Sequence, residues 1–139
     1  MNLTTIEGKW ASYTPYMHSA LRITAAFMFM VAGSMNLFAF PVAASPDGST
    51  AEFMTQGWIG SVLEFLGGGL LVLGLFTRPV AFILSGEMAV AYFQYHCSDS
   101  FLPNLNGGTE AVLYCFVWLY FSTAGGGKWS IDSVMKKQE

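Results

Sequence analysis

Four long apolar stretches, interrupted by very few charged residues, constrain this sequence more than any other feature. They cover about residues 17–38, 58–76, 79–96 and 107–124. A helix needs roughly 20 apolar residues to cross a bilayer, where only helices and closed barrels satisfy their backbone groups. The stretches lack the alternation of barrel strands. Charged residues make up only 11% of the chain, against about 25% in a typical soluble domain. The sequence therefore predicts an all-α membrane protein, a four-transmembrane-helix bundle in contact with the lipid bilayer.

The distribution of lysine and arginine predicts the orientation of this bundle. Basic residues outside the stretches lie in the N-terminal arm, the second connection and the C-terminal tail, at Lys9, Arg78, Lys128, Lys136 and Lys137. The connections at residues 39–57 and 97–106 contain none. Because basic loops stay on the cytoplasmic side, we expect both termini to be cytoplasmic. We expect one domain over residues 1–139, ending in an amphipathic tail at 125–139, with the first span retained rather than cleaved as a signal peptide. A net charge of −3 argues against nucleic acid as a partner.

Ionisable residues inside the spans are the first candidates for a functional site, because they are costly in lipid. They are Arg22, Glu64 and Glu87, with Glu110 near the start of the fourth span. The simplest account of Arg22 and Glu87 is an ion pair between the first and third helices. The alternative is that both belong to a site for ligand binding or proton exchange.

A second group of polar residues is expected at the ends of the helices remote from the lysines. Glu64, His96 and Glu110 form its centre, and Asn36, Asn104 and Asn106 surround them. A protonated carboxyl group in lipid can donate a hydrogen bond to a quinone carbonyl or transfer a proton. A metal bound by the three central residues is the weaker interpretation, since the chain has neither HExxH nor a Glu-x-x-His pair. We therefore predict no metal, and a plain hydrogen-bonded cluster remains an alternative to a ligand site.

The two cysteines, Cys97 and Cys115, do not form a CxxC motif. They are either a disulfide or redox couple on the oxidising side of the membrane, or buried free thiols that behave as small hydrophobic residues. The second stretch also places Gly60, Gly67 and Gly74 at seven-residue intervals, which predicts close helix packing.

An ordered set of short motifs resembles the DoxX family of small four-helix bacterial membrane proteins. The set runs from Leu21-Arg22-Ile23, through Glu64–Leu71 and Gly74–Arg78, to His96, Asn106-Gly107-Gly108 and Gly125–Asp132. The resemblance covers most of the chain. It implies a bacterial inner-membrane protein linked to redox work, with the charged positions of the family at Arg22, Glu64 and Glu110.

The resemblance and the buried acids together suggest a membrane component of a redox system that binds a quinone or another apolar small molecule. The chain lacks a haem-attachment motif, an iron–sulfur cysteine set and a GxGxxG turn. Such a component would therefore work with a partner oxidoreductase, and whether the chain is itself an enzyme stays open. The alternative is a non-enzymatic accessory subunit that stabilises a larger membrane complex through its glycine faces and its tail. A transporter is less favoured, because there is no internal repeat.

Overall fold

The computed structural model describes residues 3–98 and 100–137, and over these residues all regular structure is helical. The elements are α1 (Leu3–Ala11), α2 (Thr14–Phe38), α3 (Gln56–Leu73), α4 (Thr77–Ala91) continued by a π-helical turn (Tyr92–His96), α5 (Pro103–Asn106), α6 (Thr109–Ala124) and α7 (Ile131–Met135). The first predicted stretch corresponds to α2, the second to α3, the third to α4 with its π turn, and the fourth to α6. Neither α1 nor the π turn was predicted.

Two of these helices, α2 and α3, are long and apolar enough to cross a membrane, with mean hydropathies of 1.4 and 1.3. The predicted end of the second span was wrong by three residues. Helix α3 ends at Leu73 because Gly74 adopts a left-handed conformation with φ of 67°, which closes helices. That early turn leaves room for α4 to begin at Thr77.

Helices α2 and α3 cross at a very short distance, because each helix places a glycine against the backbone of the other. A Cβ atom on Gly33 would lie 2.6 Å from the Phe65 nitrogen. A Cβ atom on Gly68 would lie 2.9 Å from the backbone nitrogen of Met30 and 3.0 Å from the Ala26 oxygen. The predicted close packing of the glycine-rich helix is therefore present. Gly67 faces the other way, against the Leu84 side chain of α4, so α3 is packed on two sides.

Three glycine-to-alanine substitutions should separate the steric cost of an added methyl group at the helix crossing from the gain in helix propensity that alanine brings. Gly68→Ala is expected to lower the free energy of unfolding by about 1–3 kcal/mol, because the new methyl group would meet backbone atoms that cannot move away. Gly69→Ala should be nearly neutral, since its methyl group would meet only the flexible Met30 sulfur, at 3.7 Å. Gly86 faces open space, so Gly86→Ala should stabilise by about 0.5–1 kcal/mol. Thermal unfolding in detergent measures all three, and equal effects at positions 68 and 69 would contradict the close crossing.

Helix α6 closes the bundle through large aromatic side chains. Trp118 and Phe121 are fully buried. The Phe29 ring of α2 lies 5.4 Å from the Trp118 ring and 4.9 Å from the Tyr114 ring, between centroids. The backbone of α6 packs mainly against α4, so α2 is joined to α3 by glycine contacts and to α6 by ring contacts.

Candidate functional site

Arg22 is completely buried, and its guanidinium group binds backbone carbonyl groups rather than a carboxylate. Nε donates to the Gly126 oxygen at 2.8 Å, and one terminal nitrogen donates to the Val72 oxygen at 2.9 Å. Further hydrogen bonds run to the carbonyl oxygens of Leu71 and Trp129. Because the last carbonyl groups of a helix have no partner within it and carry partial negative charge, Arg22 stabilises the end of α3.

The predicted ion pair between Arg22 and Glu87 is therefore wrong. All the described donor contacts of Arg22 go to carbonyl oxygens, and Arg22 lines neither of the cavities that contain the glutamates. Its role is to hold the chain segment after α6 against the ends of α2 and α3.

Asp132 completes this junction, which we call the C-terminal junction and define by Arg22, Gly74, residues 125–130 and Asp132. The two Asp132 carboxylate oxygens accept hydrogen bonds from the backbone N–H groups of Phe76 at 2.8 Å and Thr77 at 2.9 Å. Asp132, which lies near the C-terminus of the chain, thus caps the start of α4 with its side chain. The Trp129 N–H donates to the Ser19 hydroxyl at 3.1 Å. The predicted amphipathic tail is thus partly docked onto the bundle.

Asp132→Asn tests this cap through pH. Partial burial opposes ionisation of Asp132, but hydrogen bonds from Thr77 and Phe76 outweigh it and lower the pKa of the carboxyl group. A depressed pKa in the folded state stabilises the fold above the unfolded pKa of about 4, and this stabilisation is lost as the pH falls through the folded value. We expect Asp132→Asn to cost about 1 kcal/mol at pH 7, because its amide nitrogen cannot accept the second N–H group, and less at pH 3, measured by thermal unfolding. A cost that does not change with pH would contradict the ionised cap.

His18 contacts the C-terminal junction at Gly125, and sequence reasoning missed it. Its Nε2 lies 2.9 Å from the Gly125 oxygen and its Nδ1 lies 3.0 Å from the Tyr120 hydroxyl. Because a carbonyl oxygen can only accept, Nε2 is the donor in the contact with Gly125. The four-residue interval between His18 and Arg22, which puts both on one face of a helix, was the signal that could have found it.

Glu64 and Glu87 line one cavity of about 430 Å³ between α3 and α4, together with Asn36, Gln56 and Tyr95. In each glutamate, the Oε2 atom is buried and has no hydrogen-bond partner among the described residues. Unpaired buried oxygens are costly. The cavity therefore offers two unpartnered carboxyl groups.

A second cavity, of about 240 Å³, brings together the three central residues of the predicted outer cluster. It is lined by Glu64, His96 and Glu110, with Tyr114 and Phe29. Glu64 lines both cavities, so it is the central residue of the carboxyl site, which we define as Glu64, Glu87, His96 and Glu110. His96 ends the π turn, and its Nδ1 lies 3.2 Å from the backbone carbonyl oxygen of Asn106.

The predicted asparagines of the cluster divide into two roles. Asn36 lines the larger cavity. Asn106 holds the connection before α6 through its side chain. The side-chain NH2 group donates to the Ser100 carbonyl oxygen at 2.7 Å, and the side-chain oxygen accepts from the Gly108 N–H at 2.8 Å. The Asn104 oxygen accepts from the Thr109 hydroxyl at 3.2 Å. Of these three asparagines, Asn36 lines a cavity of the glutamates, and its side-chain amide donates to the Ala32 oxygen at 3.4 Å.

Cys97 and Cys115 are free, partly buried thiols and form no disulfide in this structure. The Cys115 sulfur lies 3.6 Å from the Ser85 hydroxyl. It faces an apolar cavity of about 330 Å³, which Tyr92, Phe93 and Phe116 also line. Across the described residues, no group of three or more histidine, cysteine or acidic side chains is arranged to hold a metal ion.

The helical bundle, the apolar spans and the buried carboxyl groups define a small helical membrane protein. The DoxX family model matches residues 17–97, and the chain belongs to the DoxX family. An uncharacterized protein of Haemophilus influenzae is 40% identical over 130 residues, which cover 91% of this chain and 96% of that protein. A second uncharacterized protein of the same organism is 32% identical over 68 residues, covering 49% of this chain and 45% of that protein. No solved structure matches the chain.

Proposed function

We propose that the chain crosses the bacterial inner membrane four times, through α2, α3, α4 with its π turn, and α6, with both termini in the cytoplasm. Helix α4 has 15 residues, but the helical path continues through the π turn to His96. The junction supports the orientation, since Lys128 donates to the Tyr16 hydroxyl at 2.8 Å at the same end where Asp132 binds Thr77. Arg78 and Lys136 border a cavity at this same end, and basic residues on one side of the membrane are what the positive-inside rule requires.

We further propose that the carboxyl site binds the head group of a lipid-soluble quinone. The observation that carries this proposal is the pair of buried, unpartnered carboxyl oxygens of Glu64 and Glu87 in one cavity. A carboxyl group in its protonated form donates a hydrogen bond, and the two carbonyl oxygens of a quinone accept them. Binding would supply the partners that the cavity lacks.

The chemistry of such a site is proton exchange. Reduction of a quinone to a quinol consumes two electrons and two protons. Glu64 and Glu87 would deliver the protons, and Glu64 would exchange them through the second cavity with Glu110, which is exposed at the start of α6. The electrons would come from a partner oxidoreductase that carries its own redox centre.

The apolar cavity at Cys115 provides a place for the hydrophobic tail of the same ligand. Met88 is buried and lines this cavity as well as both cavities of the carboxyl site. A shift of this flexible side chain would connect the polar and apolar spaces. Apolar side chains such as Phe93, Val112 and Phe116 line this cavity, as a hydrocarbon tail requires.

The accessory-subunit alternative rests on the glycine faces and the tail, and the structure uses most of these features inside the chain. Gly33, Gly67 and Gly68 are buried between helices, and the tail is held by Arg22. Fewer of these surfaces are left for a partner. The quinone site is therefore the function that the geometry supports best.

Filling the larger cavity tests the proposal. Gly60 lines that cavity, and a Cβ atom there would lie 3.1 Å from the Glu87 Oε1 atom. We expect Gly60→Leu to reduce binding of a decyl-tailed quinone at least tenfold, because the side chain would occupy the space of the head group. Native mass spectrometry of the purified protein in lipid nanodiscs measures the bound fraction.

Gly86→Leu is the matched control, since Gly86 is in the same bundle and faces open space. It should bind quinone as the unmodified protein does. Failure of the unmodified protein to bind quinone, or equal binding by Gly60→Leu, would overturn the proposal.

A further inference from the structure

A separate cavity of about 260 Å³ lies at the opposite end of the bundle, where α4 begins. It is bordered by Thr77, Arg78, the glycines at 125–127, Asp132 and Lys136. None of these residues belongs to the carboxyl site. The cavity therefore needs an explanation of its own.

The Arg78 side chain folds over the glycine segment instead of extending away from the helix. Gly125 has φ of 82°, and a Cβ atom at this residue would lie 3.4 Å from Nε of Arg78. A side chain at position 125 would thus be strained and would also press on the guanidinium group. The bare backbone here leaves Arg78 room along one wall of the cavity.

Thr77 supplies a second observation, independent of the charges. The residue is fully buried, yet its hydroxyl oxygen has no hydrogen-bond partner among the described residues. It lies near enough to Asp132 to help lower the pKa of that group, but not in hydrogen-bond geometry. A buried hydroxyl without a hydrogen-bond partner is costly. A ligand in this cavity would supply the partner that the Thr77 hydroxyl lacks.

The charges around the cavity favour an anion with one negative charge. Arg78 and Lys136 are positive and Asp132 is negative, and both Asp132 oxygens already accept N–H groups from the start of α4. One net positive charge remains. We propose that this cavity binds a phosphate group of single charge, the phosphodiester of an anionic lipid headgroup, through Arg78, Lys136 and the Thr77 hydroxyl.

Lipid binding to the purified full-length chain tests this site, with phosphatidylglycerol as the probe and diacylglycerol, which lacks the phosphate, as the comparison. In native mass spectrometry we expect one tightly bound phosphatidylglycerol and no bound diacylglycerol. Arg78→Gln and Lys136→Gln should each weaken binding about tenfold, since each removes a charge-assisted hydrogen bond. Thr77→Val should weaken binding several-fold while leaving the thermal unfolding temperature equal or higher, because it also removes an unpaired buried hydroxyl.

Lys9→Gln is the control, because Lys9 is basic and exposed but lies on α1, outside the cavity. It should leave lipid binding unchanged. Equal losses from Lys9→Gln and Arg78→Gln would overturn the proposal in favour of general attraction to anionic lipid. Displacement of the lipid by inorganic phosphate at millimolar concentration would overturn the lipid source and identify free phosphate as the ligand.

Discussion

Arg22→Gln is expected to lower the free energy of unfolding by about 3–5 kcal/mol, because each buried carbonyl oxygen left without a donor costs about 1–3 kcal/mol. Arg22 joins the end of α3 to the segment after α6 through the carbonyl oxygens of Leu71, Val72, Gly126 and Trp129. A glutamine amide has fewer donors and a shorter reach. Most of these oxygens would then lose their partner, and the C-terminal segment would detach.

Thermal unfolding in detergent measures the loss of stability, and limited trypsin digestion after Lys128 measures the detachment of the segment. The stability of Arg22→Lys should lie between those of the unmodified protein and Arg22→Gln, because an ammonium group keeps three donors but not the planar geometry. Arg78→Gln is the control, since Arg78 is exposed and lies outside the hydrogen bonds of Arg22. Unchanged unfolding and digestion in Arg22→Gln would show that the junction does not hold the fold together.

Glu64→Leu is expected to weaken quinone binding about 10- to 100-fold, because it removes the central hydrogen-bonding group of the carboxyl site. Glu64→Gln should bind within a few-fold of the unmodified protein, since an amide can still donate a hydrogen bond but cannot release a proton at neutral pH. Glu87→Leu should have a smaller effect, because Glu87 lines only one of the two cavities that Glu64 lines.

Glu52→Leu is the matched control for the Glu64 variants, since Glu52 is exposed in the connection before α3. Quinone titration in nanodiscs, followed by native mass spectrometry, gives the affinities. Equal binding by Glu64→Leu and Glu52→Leu would remove the carboxyl site from consideration as the binding site for the quinone.

Hydropathy alone located the ends of the four long helical segments to within about three residues. Residues 17–38 correspond to α2, which begins at Thr14, and residues 107–124 correspond to α6, which begins at Thr109. The error at the end of α3 arose because apolar residues continue to Phe76 after the left-handed turn at Gly74. A hydropathy profile detects apolar residues but does not detect a change of backbone conformation such as the turn at Gly74.

The candidate site was only partly predictable, for a reason that Arg22 illustrates. Sequence reasoning sought a carboxylate for Arg22, because charges are visible in a sequence. Its actual partners are carbonyl oxygens, which every residue carries, so no pattern distinguishes Leu71 or Gly126 as acceptors. The glutamates were found because a carboxyl group inside an apolar helix is conspicuous. That Glu64 lines two cavities depends on packing and could not be predicted.

The most direct test of a quinone-binding membrane component is native mass spectrometry of the protein extracted in mild detergent from its own membranes. We expect one bound mass that matches a quinone, present in the unmodified protein and Glu64→Gln but lost in Glu64→Leu. A chain without any bound small molecule, joined in fixed ratio to another polypeptide, would contradict the quinone site and favour an accessory subunit.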